Sequence, residues 1–527
     1  MLRSASAAAL LTVCFLAPHL ATAQAVSISP STLPGVSTIS PRFQSFNIEM
    51  VEVTGGRFWA PYKLGSDAES KPDPKLATPG TDPSLYRYRP PINLANPKLR
   101  KLAAALAPSY VRVSGTWANS TYFHDSDGHA PQTPPTGFGG ILTREEWKGV
   151  VDFSKAVDAG IVTSFAISPG VRDASGVWTP VEAKKIVDYT HSVGGTIAAA
   201  EMFNEPTFAG MGGAPKGYSA ETYGKDFKVF HAYASKALPK MIVLGPGSVG
   251  EGGSLGDIGA MPAGMNLIKS TEMLEAEGPG LQVFSYHFYG GVSKRCARMG
   301  AATQATPETT LTPEWLSRTD HEEAFYAALR DKYLPGKPIW LTETGETACG
   351  GNPWASTFLD SFRYLNQLGT LARRGVQVVA HNTLAASDYA LIDEDTLTPR
   401  PNYWAAVLWR RMMGTTVLDA GTSAPPVYVY AHCLRNQPGG VAILAINTDR
   451  NASHEITLPE ASLRYTLASD NLTSTQVALN GVDLMLDNKG NLPSLTGTPT
   501  PAGKISLAPT TITFLGVAKA NNPACRK

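Results

Sequence analysis

The stretch AAAEMFNEPTFAG, Ala198–Gly210, starts as an apolar run fit for a buried strand and breaks at Asn204-Glu205-Pro206. An acid directly where an apolar strand ends is the feature to explain, and the surroundings of this stretch set the frame. From about residue 44 to 414, short runs rich in β-branched or aromatic residues alternate with longer helical patterns, which is the texture of parallel βαβ units. Eight runs read as strands: FQSFNIEM, YVRVSG, VTSFAISP, TIAAAEMFNEP, MIVLGPGS, QVFSYHFYG, PIWLTETG and VQVVAHN. The segments between them carry the 3.6-residue period, as in Tyr223, Phe227, Phe230, Ala234 and Leu238, or Phe358, Phe362, Leu365 and Leu368, and so read as helices with one buried face. Eight such strands, with no Gly-x-Gly-x-x-Gly after the first, predict an α/β fold of the (β/α)8 TIM-barrel type rather than an open doubly wound sheet.

After Gly414 the texture changes. PPVYVYAHCLR, GGVAILAINT, HEITLP, QVALNGVDLML and GKISLAPTTITFLGVA are short strands between Gly, Asn, Asp and Pro turns, the pattern of an all-β sandwich. The predicted organisation is a signal peptide over 1–25, a strand segment over 26–43 that joins the β region, a catalytic barrel over 44–414 and a C-terminal β-sandwich domain over 415–527. The insertion from Thr54 to Asn96, with Phe58, Trp59 and Tyr62, follows the first strand and would wall the face of the barrel that carries active sites.

Bulk properties exclude several classes. The chain has 527 residues and a formal net charge of +1, so no basic field recruits a nucleic acid. Arg3, a short apolar run and small residues around Ala21–Ala25 form a cleavable secretory signal, and no later run reaches a membrane-spanning length. The expected location is therefore secreted or periplasmic, with no membrane insertion after cleavage. Losing Cys14 with the signal leaves four cysteines: Cys296, Cys349, Cys433 and Cys525. An oxidising compartment would let these form two disulfides. Pairing Cys433 with Cys525 would tie down the chain end, and Cys296 and Cys349 meet if the strands they follow are neighbours. No cysteine or histidine spacing indicates a metal, and no cofactor is implied. The sequence carries no signal of oligomeric state.

In a (β/α)8 barrel, residues at the C-terminal ends of the strands face the site. Glu205 at the end of the fourth predicted strand and Glu343 at the end of the seventh would stand across one pocket, an arrangement suited to a retaining glycosidase, whose two carboxyls lie about 5–5.5 Å apart. Glu205 would act as acid and base and Glu343 as nucleophile, with the Asn204 amide available to a sugar hydroxyl. Glu346, three residues beyond Glu343, is a rival that falls in the following loop, and Glu201 reads as a strand residue or ion-pair partner. His287 and Tyr289, at the end of the sixth strand, are placed to orient a carboxylate.

At these residues the chain resembles the family 79 glycoside hydrolases, the β-glucuronidase and heparanase group, in a bacterial-type secreted form. The resemblance covers nearly all of the mature chain. Its most specific parts are LAPSYVRVSGT, the Asn-Glu-Pro turn, WLTETGETACGG, FLDSFRYLNQLGTLARRGVQVV and SDYALIDEDTLTPRPNYWAAVLWRRMMGT. It implies the same roles for Glu205 and Glu343. It further implies that main-chain N–H groups of Gly350 and Gly351, with Tyr389, hold the glucuronate carboxylate, that Thr116, Asn47 and Glu49 bind hydroxyls, and that Cys433 and Cys525 pair. Glycine allows close backbone approach, and a nest of N–H groups favours an anion. Where animal heparanases carry basic residues for sulfated chains, this chain reads TFAGMGG and SVGEGGS. Cys349 replaces the aromatic residue before the glycines, and one extra residue separates the nucleophile from them. The expected activity is release of β-linked glucuronic acid or its 4-O-methyl derivative from a glucuronide-containing carbohydrate. The alternatives are a heparanase-like endo-glucuronidase on glycosaminoglycans, a neutral-sugar glycosidase such as a β-xylosidase, and a non-catalytic carbohydrate-binding barrel.

Overall fold

A computed structural model describes residues 26–62, 83–253, 267–299, 303–421 and 425–526. The predicted signal segment and the middle of the insertion, 63–82, lie outside the described residues. Eight parallel strands close into a barrel: β1 Gln44–Glu49, β2 Ser109–Ser114, β3 Ala159–Thr163, β4 Ile197–Glu201, β5 Ile242–Ser248, β6 Val283–Tyr289, β7 Ile339–Gly345 and β8 Val378–His381. β8 pairs with β1 to complete the ring. Two strands end earlier than the apolar runs suggest. β3 spans Ala159–Thr163 rather than the VTSFAISP run, and β4 stops at Glu201, so Glu205 lies four residues past the strand.

Alternation decides which side chains enter the barrel, because successive residues of a strand face opposite ways. Val162, Ala199, Leu244, Val283, Trp340 and Val378 fill its interior. Val111 and Val113 face outward into the larger core shared with the helices, which turns Arg112 of β2 inward. In β6, Tyr286 packs on Tyr326 of the helix Arg318–Tyr333, so His287 and Tyr289 lie on the inner register. The helix Ala220–Ala237 buries Tyr223, Phe227, Phe230 and Ala234 on one face and is capped by Ser219, whose hydroxyl accepts from the Thr222 N–H.

The remaining strands form two sheets. A nine-stranded sheet runs from Gly35–Thr38 through Met413–Leu418, Val427–Leu434, Val441–Asn447, Thr511–Val517 and Ser462–Ala468 to the short pairs near residue 480. A three-stranded sheet joins Val26–Ser27, His454–Leu458 and Gly503–Leu507. Between them lies a separate core of Ile28, Val429, Ile443, Ile456, Leu458, Ile505 and Leu515, which makes this region a C-terminal all-β layer structure with N-terminal strands added to both sheets. Tyr430 links it to the barrel. Its ring lies where a Cβ on Gly369 would stand, and its hydroxyl donates to Asn366 on the helix Phe358–Arg374. Disulfides join Cys433 to Cys525 within the β region and Cys296 to Cys349 between the loops that follow β6 and β7.

Candidate active site

The site is built around Arg112, whose side chain is 1% exposed. A buried guanidinium persists only when its donors are met by acceptors and its charge by anions. Here Nη1 donates to Glu343 Oε2 at 2.8 Å, Nη2 to Glu201 Oε2 at 2.9 Å and Asn204 Oδ1 at 2.7 Å, and Nη2 also lies 3.2 Å from His287 Nε2. Burial alone would drive the Glu201 carboxyl to its neutral form, but the charge of Arg112, aided by His287 and the Thr342 hydroxyl, outweighs it and holds Glu201 below its ordinary range. Arg112 was not singled out as a site residue in the sequence. The signal was an arginine alternating with valines in a strand predicted to be buried.

Glu343 reaches this cation because β7 carries a bulge. Leu341 is paired with Tyr286 but Glu343 with His287, so Thr342 is an extra residue on the β7 side. A bulge re-aims the side chain that follows it, and both Thr342 and Glu343 consequently face the pocket, Thr342 toward Glu201 and Glu343 toward Arg112. The Tyr289 hydroxyl donates to Glu343 Oε1 at 2.7 Å. Asn382, just past β8, donates from Nδ2 to the hydroxyls of both Tyr289 and Tyr389. The sequence reading did not pick it out either.

Glu205 is held in a left-handed conformation, φ 48°, at the start of the short Pro206–Phe208 helical turn. Asn119 fixes the approach by accepting from the Asn204 N–H and donating to the Asn204 carbonyl. Glu205 Oε1 is 3.1 Å from His287 Nδ1. Because Nε2 of that ring faces an arginine donor, it must accept, which places the proton on Nδ1 and makes it the donor to Glu205. Burial raises the Glu205 carboxyl above its ordinary range, the His287 bond opposes this, and the charge of Glu343 adds to the rise. A carboxylate oxygen of Glu205 and one of Glu343 lie within 4.8 Å of each other and of a His287 nitrogen. Such a trio has the composition of a metal site, but Arg112 already supplies the cation, bound directly to Glu343 and beside His287. A second positive ion there would meet repulsion of about 4 kcal/mol at an effective dielectric near 20, and the donor set fits an acid pair better than a metal.

The other predicted positions lie on β1 and on the loops after β2, β7 and β8. Glu49, 3% exposed, sits at the head of the helix Met50–Thr54; burial and the charge of Glu343 push its carboxyl well up, against Arg112. Gly115 lies so close that an added Cβ would stand 1.5 Å from Glu49 Oε2. Asn47 is buried and donates to the Thr342 carbonyl, leaving Oδ1 without a protein partner. Thr116 begins the short helical turn after β2. Gly350 and Gly351 have φ of +83° and +81°. Their carbonyls are taken by Ser387 and Asp388 and by Ser293, respectively, whereas neither glycine N–H donates to another described residue. Tyr389 packs against Tyr289, ring centres 6.4 Å apart, with its own hydroxyl proton not committed to any described residue. Glu346 does not join the pair: its carboxylate accepts from Thr347 and from the backbone and side chain of Asn352, and burial pushes it up to about 7. Glu251 turns to Ser270 at the head of the helix Ser270–Glu277.

No family model matches the chain. Among curated proteins it is similar to heparanase-like protein 1 of Arabidopsis thaliana, 28% identical over 391 residues covering 70% of this chain and 67% of that protein. Mus musculus heparanase is 27% identical over 511 residues, 85% and 90% of the two chains, and a hyaluronoglucuronidase of Hirudo nipponia is 27% identical over 485 residues, 83% and 92%. Among solved structures, a GH51 arabinofuranosidase from Xanthomonas axonopodis pv. citri superposes with a TM-score of 0.60 at 18% identity, covering 92% of this chain and 99% of that one. A 4-O-α-L-rhamnosyl-β-D-glucuronidase from Fusarium oxysporum 12S gives 0.60 at 12% identity, over 93% and 100%. The chain is thus similar in sequence to heparanases and glucuronidases, and it shares its barrel fold with solved glycoside hydrolases.

Proposed function

We infer that the chain is a secreted retaining β-glucuronidase of the family 79 type, exo-acting on terminal glucuronate or its 4-O-methyl derivative. The observation that carries this reading is the Glu205–Glu343 pair, two acids with oxygens within 4.8 Å in different surroundings: Glu343 bonded to a guanidinium, and Glu205, partly exposed, with no guanidinium bond and a raised carboxyl. That asymmetry assigns acid and nucleophile. Protonated Glu205 gives its proton to the glycosidic oxygen as the Glu343 carboxylate attacks the anomeric carbon. The aglycone leaves as an alcohol and a glycosyl ester forms on Glu343. Glu205, now a carboxylate, takes a proton from water, whose oxygen attacks the same carbon, releases Glu343 and restores the acid. Arg112 and Tyr289 hold Glu343 for the attack, and His287 aims Glu205. The N–H groups of Gly350 and Gly351, without a partner among the described residues, and the hydroxyl of Tyr389 suit the substrate carboxylate, with Asn204, Asn47, Glu49 and Thr116 for ring hydroxyls.

The test is hydrolysis of a chromogenic β-D-glucuronide beside the matching glucoside and xyloside, with wild type and Glu343→Gln. Glucuronide turnover that disappears in the variant is the expected result. Turnover of the neutral sugars alone would overturn the carboxylate pocket, and activity surviving in Glu343→Gln would overturn the nucleophile.

A further inference from the structure

We propose that the Cys296–Cys349 disulfide is a specificity-determining clamp, a positioning device that holds the Gly350-Gly351 backbone in the form that binds the substrate carboxylate. The proposal rests on the glucuronidase reading above and assigns one element of its selectivity to a bridge that is not part of the acid pair.

Three consecutive residues, Cys349, Gly350 and Gly351, have positive φ of 64°, 83° and 81°. Glycine adopts this region freely, but at Cys349 it is a strained conformation that needs outside support. The bridge provides it by tying Cys349 to Cys296 in the loop after β6, with Cα atoms 6.5 Å apart. The two loops are also laced beside the bridge: Ala348 N–H donates to the Gly291 carbonyl, Ser293 N–H to the Ala348 carbonyl, and Lys294 N–H to Asn352 Oδ1. These bonds draw the carbonyl side of the turn toward the β6 loop. Within a trans peptide the C=O and the following N–H point opposite ways. Fixing the Gly350 carbonyl on Ser387 and Asp388 therefore turns the Gly351 N–H away from them, and fixing the Gly351 carbonyl on Ser293 sends the Asn352 N–H to Glu346. The Gly350 and Gly351 N–H groups stay without a partner among the described residues. Without the bridge, Cys349 is free to relax to negative φ, which rotates the peptide leading into Gly350 and takes its N–H out of the nest.

The test isolates this bridge chemically. In a Cys433→Ser/Cys525→Ser background, Cys296–Cys349 is the one disulfide left among the described residues, so a phosphine reductant that adds two electrons and two protons to give two thiols acts on it alone. KM for the chromogenic glucuronide should rise roughly tenfold on reduction, the size expected if strain of the order stored in such a conformation is released. It should return on reoxidation, with kcat changed far less. Cys296→Ser/Cys349→Ser should show the same rise in KM, and Cys296→Ser/Cys349→Gly should recover part of it, because glycine takes the left-handed form without support. An unchanged KM on reduction, or a glycine variant no better than the serine one, overturns the clamp. Absence of glucuronide turnover in the oxidised wild type would instead sink the function on which it rests, so the two failures are distinct.

Discussion

Replacing Arg112 by methionine gives the most direct reading of how this site is held together. The guanidinium faces two carboxylates, Glu201 at 2.9 Å and Glu343 at 2.8 Å, in a place its own side chain shares with almost no solvent. Two unit charges whose centres are about 4 Å apart interact by about 4 kcal/mol at an effective dielectric near 20, and removing one partner of a buried pair costs about 3–5 kcal/mol because the other charge is left behind. The stranded charge here is Glu201, whose side chain is 0% exposed. Arg112→Met should therefore lower stability at pH 7 by about 3–5 kcal/mol. Its partner change, Arg112→Met with Glu201→Gln, removes the orphan and should recover about half of that loss. The pH dependence has a definite sign. In the wild type Glu201 is held below its ordinary range, so it contributes stability above that range that is lost as pH falls through the depressed value. Without Arg112, burial is opposed by far less, and the acid holds its proton to higher pH, so the destabilisation should be larger at pH 7 than at pH 4.5. Thermal and denaturant unfolding of the three proteins at both pH values, beside kcat/KM, measures all of this. Activity should stay lost in the double variant, since Glu343 still lacks its guanidinium. A double variant no more stable than the single one, or a single-variant loss below about 1 kcal/mol, would refute the argument.

Three further outcomes follow from the same structure. In the proposed mechanism the alkaline limb of the kcat/KM profile reports loss of the Glu205 proton, and since the His287 bond lowers that carboxyl, His287→Phe should move the limb to higher pH; a shift to lower pH would contradict the assignment. Glu277 is pushed up to about 8 by burial, with Oε2 unpartnered. The folded chain keeps this proton when the unfolded chain has lost it, so stability falls as pH rises from about 4.5 to 8, and Glu277→Gln should raise Tm at pH 8 more than at pH 5. Removing the Cys433–Cys525 bridge, which spans 92 residues, should cost about 2–5 kcal/mol of stability while leaving KM for the glucuronide unchanged, as read by unfolding and steady-state kinetics.

Much of the frame was legible because it is written in local periodicity. The alternation of short apolar runs with helical stripes announced eight barrel strands, and the switch to short strands after Gly414 announced the β region. Glu346 and Glu201 are not separable from Glu205 and Glu343 by position alone, since Glu201 ends β4 and Glu346 lies one residue past β7, nearer a strand end than Glu205. Boundaries were less legible: β4 ends at Glu201, and the four residues to Glu205 form a turn pinned by Asn119, a contact between segments 85 residues apart.

By itself, then, the sequence determined the barrel, the β region and two acids near the ends of the fourth and seventh strands, because each depends on the order of neighbouring residues. The tertiary structure alone decided what those acids meet. Strict alternation along β7 would send Glu343 outward with Leu341. The extra residue at Thr342 turns it inward, and that bulge exists only in the register between β6 and β7. Arg112 acquires its ion pairs in the same way, from anions supplied by β4 and β7, and Gly350 and Gly351 have their carbonyls taken by partners on two other loops. Register and loop contact are agreements between distant segments, and hydrogen bonding across the closed barrel, rather than any local preference, enforces them.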